Sequence, residues 1–300
     1  MGTTDSALAL LPPARTGNLL VSNFNHDEIL VFSPEGRYLR SFTAPGLDGP
    51  RGILVTPLGQ TYVAAQFSNA VFIFDAKGNF VSSFTDEELD GPVGIALRDD
   101  GQLYVSSFGN DRVVVFTING AFLRVIRSEG LDGPAGLAFD SFGSLYVAST
   151  NNDWVLKFTP EDEFDRLLFS NKLNGPVSVA RDENDVIYST ARDSSQILVY
   201  DYDGTYLAQF SDSDIEGAQG IVFDDRDHMF VSSLYTDVIV EFDDLGRRVR
   251  TIENERLSIP REMAFVPLDE GDGSFGLACG AGATVMPLLG LAGLALVRRR

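Results

Sequence analysis

The sequence predicts an all-β fold, a six-bladed β-propeller of four-stranded antiparallel blades, and three observations carry that prediction. A segment ending in Gly-Pro recurs every 42 residues: LDGP at 47–50, 89–92 and 131–134, LNGP at 173–176, then the weaker IEGA at 215–218 and LSIP at 257–260. Two further columns keep the same step: Leu20, Tyr62, Tyr104, Tyr146, Tyr188 and Phe230, and Phe32, Phe74, Phe116, Phe158, Tyr200 and Phe242. Inside each unit apolar residues recur with a period near two, and turn chemistry interrupts them every ~8–12 residues. No unit holds a helix-length periodic stretch. Such short units cannot bury their faces alone, but stacked around an axis they can.

The third unit shows the four strands of a blade in order. They are VGIALRD, QLYVSSF, RVVVFTI and AFLRVIR, with Asp99-Asp100-Gly101 between the first two and Asn119-Gly120 between the last two. Equivalent turns end in Gly36, Gly78, Gly204 and Gly246, where a tight hairpin needs the positive φ that glycine adopts freely. β-branched and aromatic residues fill the strands.

Ring closure is also legible. The inner strands begin Gly52-Ile53-Leu54-Val55, Gly94-Ile95-Ala96-Leu97 and Gly136-Leu137-Ala138-Phe139, but the same register in the first unit falls on Leu10-Leu11-Pro12-Pro13. Two prolines cannot feed an inner ladder. One step beyond the sixth unit lies Glu262-Met263-Ala264-Phe265. Residues 261–266 are therefore expected to supply the inner strand of the blade begun by Leu19–Ser22, leaving no open edge.

The units resemble NHL-repeat propellers: a G-Ψ-A start, a Ψ-Y-V second strand, a Ψ-x-Ψ-F third strand and a glycine hairpin. That resemblance implies the fold and little about function, because propellers host lyases, lactonases and plain binding modules. The expected organisation is an extension over 1–14, the propeller over 15–268, a spacer over 269–274 (DEGDG and Ser274) and a hydrophobic tail over 275–300.

The tail is expected to form a C-terminal hydrophobic helix. Residues 274–297 carry no charge, and Arg298, Arg299 and Arg300 follow; about 20 apolar residues suffice to cross a bilayer. Pro287 would kink such a helix. The layout resembles bacterial sorting signals of the PEP-CTERM and MYXO-CTERM type, without their Pro-Glu-Pro motif. Cys279, at the start of the span, is either a processing or lipid-attachment residue or a passive small residue of the helix. Arginines stay on the cytoplasmic side, which places the propeller outside, at a cell surface or envelope, with the membrane as a partner of the tail. Met1–Pro13 has no basic region and only a short apolar stretch, so export implies a signal peptide missing from this sequence.

Composition excludes several functions. With 23 Lys and Arg against 43 Asp and Glu, the formal charge is −20, which repels phosphate backbones and disfavours nucleic acid. One cysteine and two histidines leave no disulfide framework or Cys-rich zinc site. His26 and His228 fall in turns of opposite faces. No phosphate loop, GxSxG elbow or HExxH is present.

Because strands alternate in direction, the second-to-third loops and the Gly-Pro linkers share one face, and that loop-and-linker face is where a ligand is expected. Phe24, Phe67, Phe108 and Tyr235 place aromatics in four of its loops, and Arg192 and Trp154 are unique to their blades. The residue before the inner-strand glycine reads Arg51, Val93, Ala135, Val177, Gln219 and Arg261, with Glu262 beside the last. Arg51, Gln219, Arg261 and Glu262 could grip an anionic or sugar-like ligand, or Glu262 could pair internally with Arg51 or Arg261. Asp27, Asp111, Asp153 and Asp237 recur once per blade, as turn residues do; as a group they are also weak calcium candidates. The leading expectation is a monomeric, non-catalytic scaffold without a required cofactor, binding a protein or glycan. The alternative is a metal-dependent lactonase- or lyase-like hydrolase drawing on Glu262, Asn151 and Asp193.

Overall fold

The computed structural model describes residues 16–168 and 173–267, and within them the chain forms six four-stranded antiparallel sheets. Five are built from consecutive strands. The sixth joins the two ends: strand Pro260–Pro267 pairs with Thr16–Asn23, which pairs with Glu28–Phe32 and then Tyr38–Phe42. Leu19 faces Phe265 and Val21 faces Met263 across this seam. Asn23 ties it at the loop-and-linker face, where its amide donates to Arg256 O at 2.9 Å and its Oδ1 accepts Ser258 N–H at 2.8 Å. Residues 1–14, the spacer 269–274 and the hydrophobic tail 275–300 with Cys279 and Arg298–Arg300 lie outside the described residues. Among the described residues no helix is long and apolar enough to cross a membrane.

The alternating pattern resolves into packing between blades. Phe32, Phe74, Phe116, Phe158, Tyr200 and Phe242 are all buried, each at 2% exposure or less. The sheets stack into apolar clusters, and one of them packs the sixth blade's Phe230 and Ile239 against Leu19, Val21 and Met263. The closing strand is thus held by burial as well as by its ladder.

The loops follow one rule in every blade. The residue after the second-to-third loop takes a left-handed conformation and caps the next linker: Asp27 Oδ1 accepts Gly49 N–H, Asn69 accepts Gly91, Asp111 accepts Gly133 and Asp153 accepts Gly175. Ser195 Oγ does the same for Gly217, and Asp237 for Ile259. Backbone bonds such as Gly109 N–H to Asp90 O at 2.8 Å then fasten loop to linker. The loops and the linkers therefore share one face, as alternation requires.

Candidate functional site

Glycine sets the width of the axis. The six inner strands converge with Gly52, Gly94, Gly136, Ser178, Gly220 and Glu262 in one column. A Cβ at Gly52 would meet Val93 O at 2.3 Å, at Gly94 Ala135 O at 2.0 Å, and at Gly220 Arg261 O at 2.4 Å. Neighbouring inner strands touch backbone to backbone there, which only glycine permits. Ser178 and Glu262 are the exceptions. Together with Ile53, Ile95 and Leu137, Glu262 lines a narrow central cavity of about 110 Å³.

Glu262 sits deep in the ring, open only in part through this channel. Burial raises its carboxyl pKa from 4.5 to about 7; the Ser178 hydroxyl and the charges of Arg51 and Arg261 offset that only partly. The internal ion pair considered from sequence does not form. Among the described residues, no carboxylate lies within 4.0 Å of Arg51 or Arg261. Arg51 Nε instead donates to Gln66 Oε1 at 2.7 Å, and Arg261 Nη1 to Gln219 Oε1 at 2.5 Å. Neutral amides satisfy hydrogen bonds without cancelling charge.

Both guanidinium groups lie over the ring of Phe24, 4.9 Å and 4.6 Å from its centroid, within cation–π range. Phe67 packs edge-on against Phe24 at 5.5 Å and is itself 63% exposed. Arg192, held by Asp193 at 2.7 Å, and Tyr235, 68% exposed, are close enough to act on Arg261 electrostatically. Desolvation, followed by mutual repulsion among the three arginines, lowers Arg261 to about 9; Arg51 falls to about 10, through burial and then Arg192. The fold thus gathers Arg51, Gln219, Arg261, Phe24, Arg192 and Tyr235 around one channel mouth, with Glu262 in the channel. Phe108, the counterpart of Phe24 two blades on, packs against Gly133 of the next linker as Phe24 does against Gly49. Trp154 packs in the core between blades rather than at the mouth.

The calcium candidates Asp27, Asp111, Asp153 and Asp237 are the linker caps described above, each committing Oδ1 to an amide in its own part of the ring. Asn151 donates to Asp132, and Asp193 pairs with Arg192, so neither joins Glu262. Sequence reasoning missed a cluster on the opposite face, where Asp224, His228 and Glu241 bring ligand atoms within 4.8 Å of one another. Arg226 pairs with Asp224 and Glu241, and Arg250 with Glu241, so cations already fill that site. His26 lies on the other face beside Asn23, and the two histidines do not meet. Glu262 was legible in sequence in the register of the inner-strand glycines; its burial in the channel was not.

No protein-family model matches the chain, and no curated protein matches it. Solved structures do. A chain of a nidogen/laminin complex superposes with a TM-score of 0.74 at 15% identity, covering 83% of this chain and 98% of that one. A protein of unknown function from Bacteroides caccae gives 0.69 at 12% identity, covering 84% and 99%. A streptogramin B lyase gives 0.67 at 15% identity, covering 84% and 87%. At these identities the likeness shows a shared propeller fold.

Proposed function

We propose that the chain is a non-catalytic binding scaffold of the NHL-repeat type, presented at a cell surface or envelope by its C-terminal tail. Its loop-and-linker face takes a protein or glycan. The observation that carries this reading is the grouping of exposed Phe67 and Tyr235 around an arginine-lined mouth. Exposed aromatics beside arginine are the residues that dominate binding surfaces. No set of acids and histidines converges on the axis among the described residues, which favours binding over metal-assisted hydrolysis. The uncharged run 274–297 followed by three arginines supports the envelope location.

The test is binding of the full chain to glycan and peptide arrays, beside a Phe67→Ala/Tyr235→Ala variant. The expected result is a discrete set of bound ligands and a loss of tenfold or more in the variant at unchanged melting temperature. Equal binding by the variant, or no binding by the parent, overturns the reading. A second reading is favoured by one observation, the carboxyl of Glu262 near neutrality beneath two arginines, a setting suited to proton transfer. Turnover of a lactone or depsipeptide that vanishes in Glu262→Gln would establish it.

A further inference from the structure

Two guanidinium groups without an acid are out of place in this chain. Acids outnumber bases by 43 to 23, and many outer arginines, Arg98, Arg112, Arg124, Arg226, Arg247 and Arg248 among them, pair with carboxylates; Arg37, Arg40 and Arg256, which have no ion pair among the described residues, are exposed. Arg51 and Arg261 are strongly desolvated, a setting in which an uncompensated charge is poorly tolerated, and they have glutamines for partners. The cluster also leaves donors unused. Gln219 is 1% exposed and gives its Oε1 to Arg261, while its Nε2 is buried with no partner. Arg261 Nε is likewise buried and unpartnered. A buried N–H without an acceptor is costly, and here one belongs to a cation, Arg261, and the other to the glutamine bonded to it, so the missing group is an acceptor with negative charge.

The rest of the ring at this level restricts what carries that charge. Gln219, Arg261 and Arg51 stand on three successive inner strands, and the same position on the other three is Val93, Ala135 and Val177, all buried. One half of the ring is a donor arc and the other is apolar. Glu262 lies just within, on the wall of the cavity of about 110 Å³ beneath this level. A doubly charged group would meet that carboxyl, whereas a planar single charge matches the guanidinium fork.

We infer that the channel mouth, formed by Arg51, Arg261 and Gln219, binds a carboxylate carried on a short apolar stem that rests on Val93, Ala135 and Val177. The site rests on the proposed binding role of this face and specifies the chemistry taken at its centre. The carboxylate belongs either to a small acid or to the C-terminal end of a peptide.

Titration calorimetry on the full chain tests this with isovalerate against isovaleramide, with N-acetyl-glycyl-valine as the peptide terminus, and with inorganic phosphate, each up to about 10 mM, a range suited to ligands of few atoms. Isovalerate is expected to bind at least tenfold more tightly than its amide, with Arg261→Ala losing tenfold or more. A tighter acetyl-dipeptide assigns the terminus as the source; a weaker one assigns the small acid. Gln219→Glu should abolish binding yet raise the melting temperature, because an internal carboxylate takes the ligand's place beside Arg261. A site that served only to hold the fold would not give these opposite signs. Equal binding of acid and amide, tighter binding of phosphate, or unchanged affinity in Arg261→Ala and Gln219→Glu overturns the inference. The array experiment reads the outer loops by itself, so array binding without isovalerate binding overturns the mouth inference alone, and isovalerate binding without array ligands overturns the outer-loop reading alone.

Discussion

Replacing Glu262 by glutamine should stabilise the propeller at pH 8 and leave it unchanged near pH 4.5. Folding carries this carboxyl from 4.5 to about 7 because burial disfavours its charged form. The folded state therefore holds the proton more tightly, and stability falls as pH rises between those two values. Below pH 4.5 the group is neutral in both states and costs nothing. Above pH 7 it is ionised in both, and the full cost of a buried anion applies. At about 1.4 kcal/mol per pH unit that cost is about 3 kcal/mol. The channel leaves Glu262 partly exposed, and water there screens the charge, so a gain of about 1–3 kcal/mol is expected. The charged groups acting on Glu262 are Arg51, on the neighbouring inner strand, and Arg261, on its own, with Ser178 as hydrogen-bond partner. With Arg51 near 10 and Arg261 near 9, neither loses its proton substantially across this window. Urea melts of parent and variant at pH 4.5 and pH 8 give the difference directly. A stability difference that is the same at both pH values, or a variant less stable at pH 8, refutes the reasoning.

Three further outcomes follow from packing. Gly94→Ala should cost about 3 kcal/mol or more, since its Cβ would lie 2.0 Å from Ala135 O on rigid backbone; Gly101→Ala should cost only about 1–2 kcal/mol, for a left-handed φ of 83° with no atom within 4 Å. Thermal melts that reverse this order would sink the glycine-column argument. Asp111→Ala should lose about 1–2 kcal/mol with the bond to Gly133 N–H, Asp111→Asn should lose less, and EDTA should shift neither melt; a chelator-dependent melt would make the aspartates calcium ligands instead. Met263→Ala should cost about 2–5 kcal/mol through the cavity left among Leu19, Val21 and Phe230, and ending the chain at Ile259 should abolish cooperative melting, which a still-cooperative truncated chain would contradict.

Much of this was written in the repeat. Three columns at a fixed step settled the blade number, alternation settled the two faces, and a proline pair at 12–13 pointed to the far end of the chain for the missing inner strand. Asp27 and its equivalents were legible as turn residues because a left-handed residue that caps the next linker in every blade leaves a once-per-unit mark. The chemistry of the mouth was only half legible. Arg51, Gln219 and Arg261 stood out as departures from Val93, Ala135 and Val177, but an acid next to an arginine in sequence suggested the wrong partnership.

Sequence by itself determined the periodic features, because whatever every blade needs must appear in every unit. Tertiary structure decided what happens where the units differ. Arg261 reaches back to Gln219 and shares Phe24 with Arg51, while Glu262 meets the close inner strands of the axis. Those partners come from different blades and are set by how six inner strands converge, and charge, burial and unpaired donors there are properties of the closed ring, which no single unit contains.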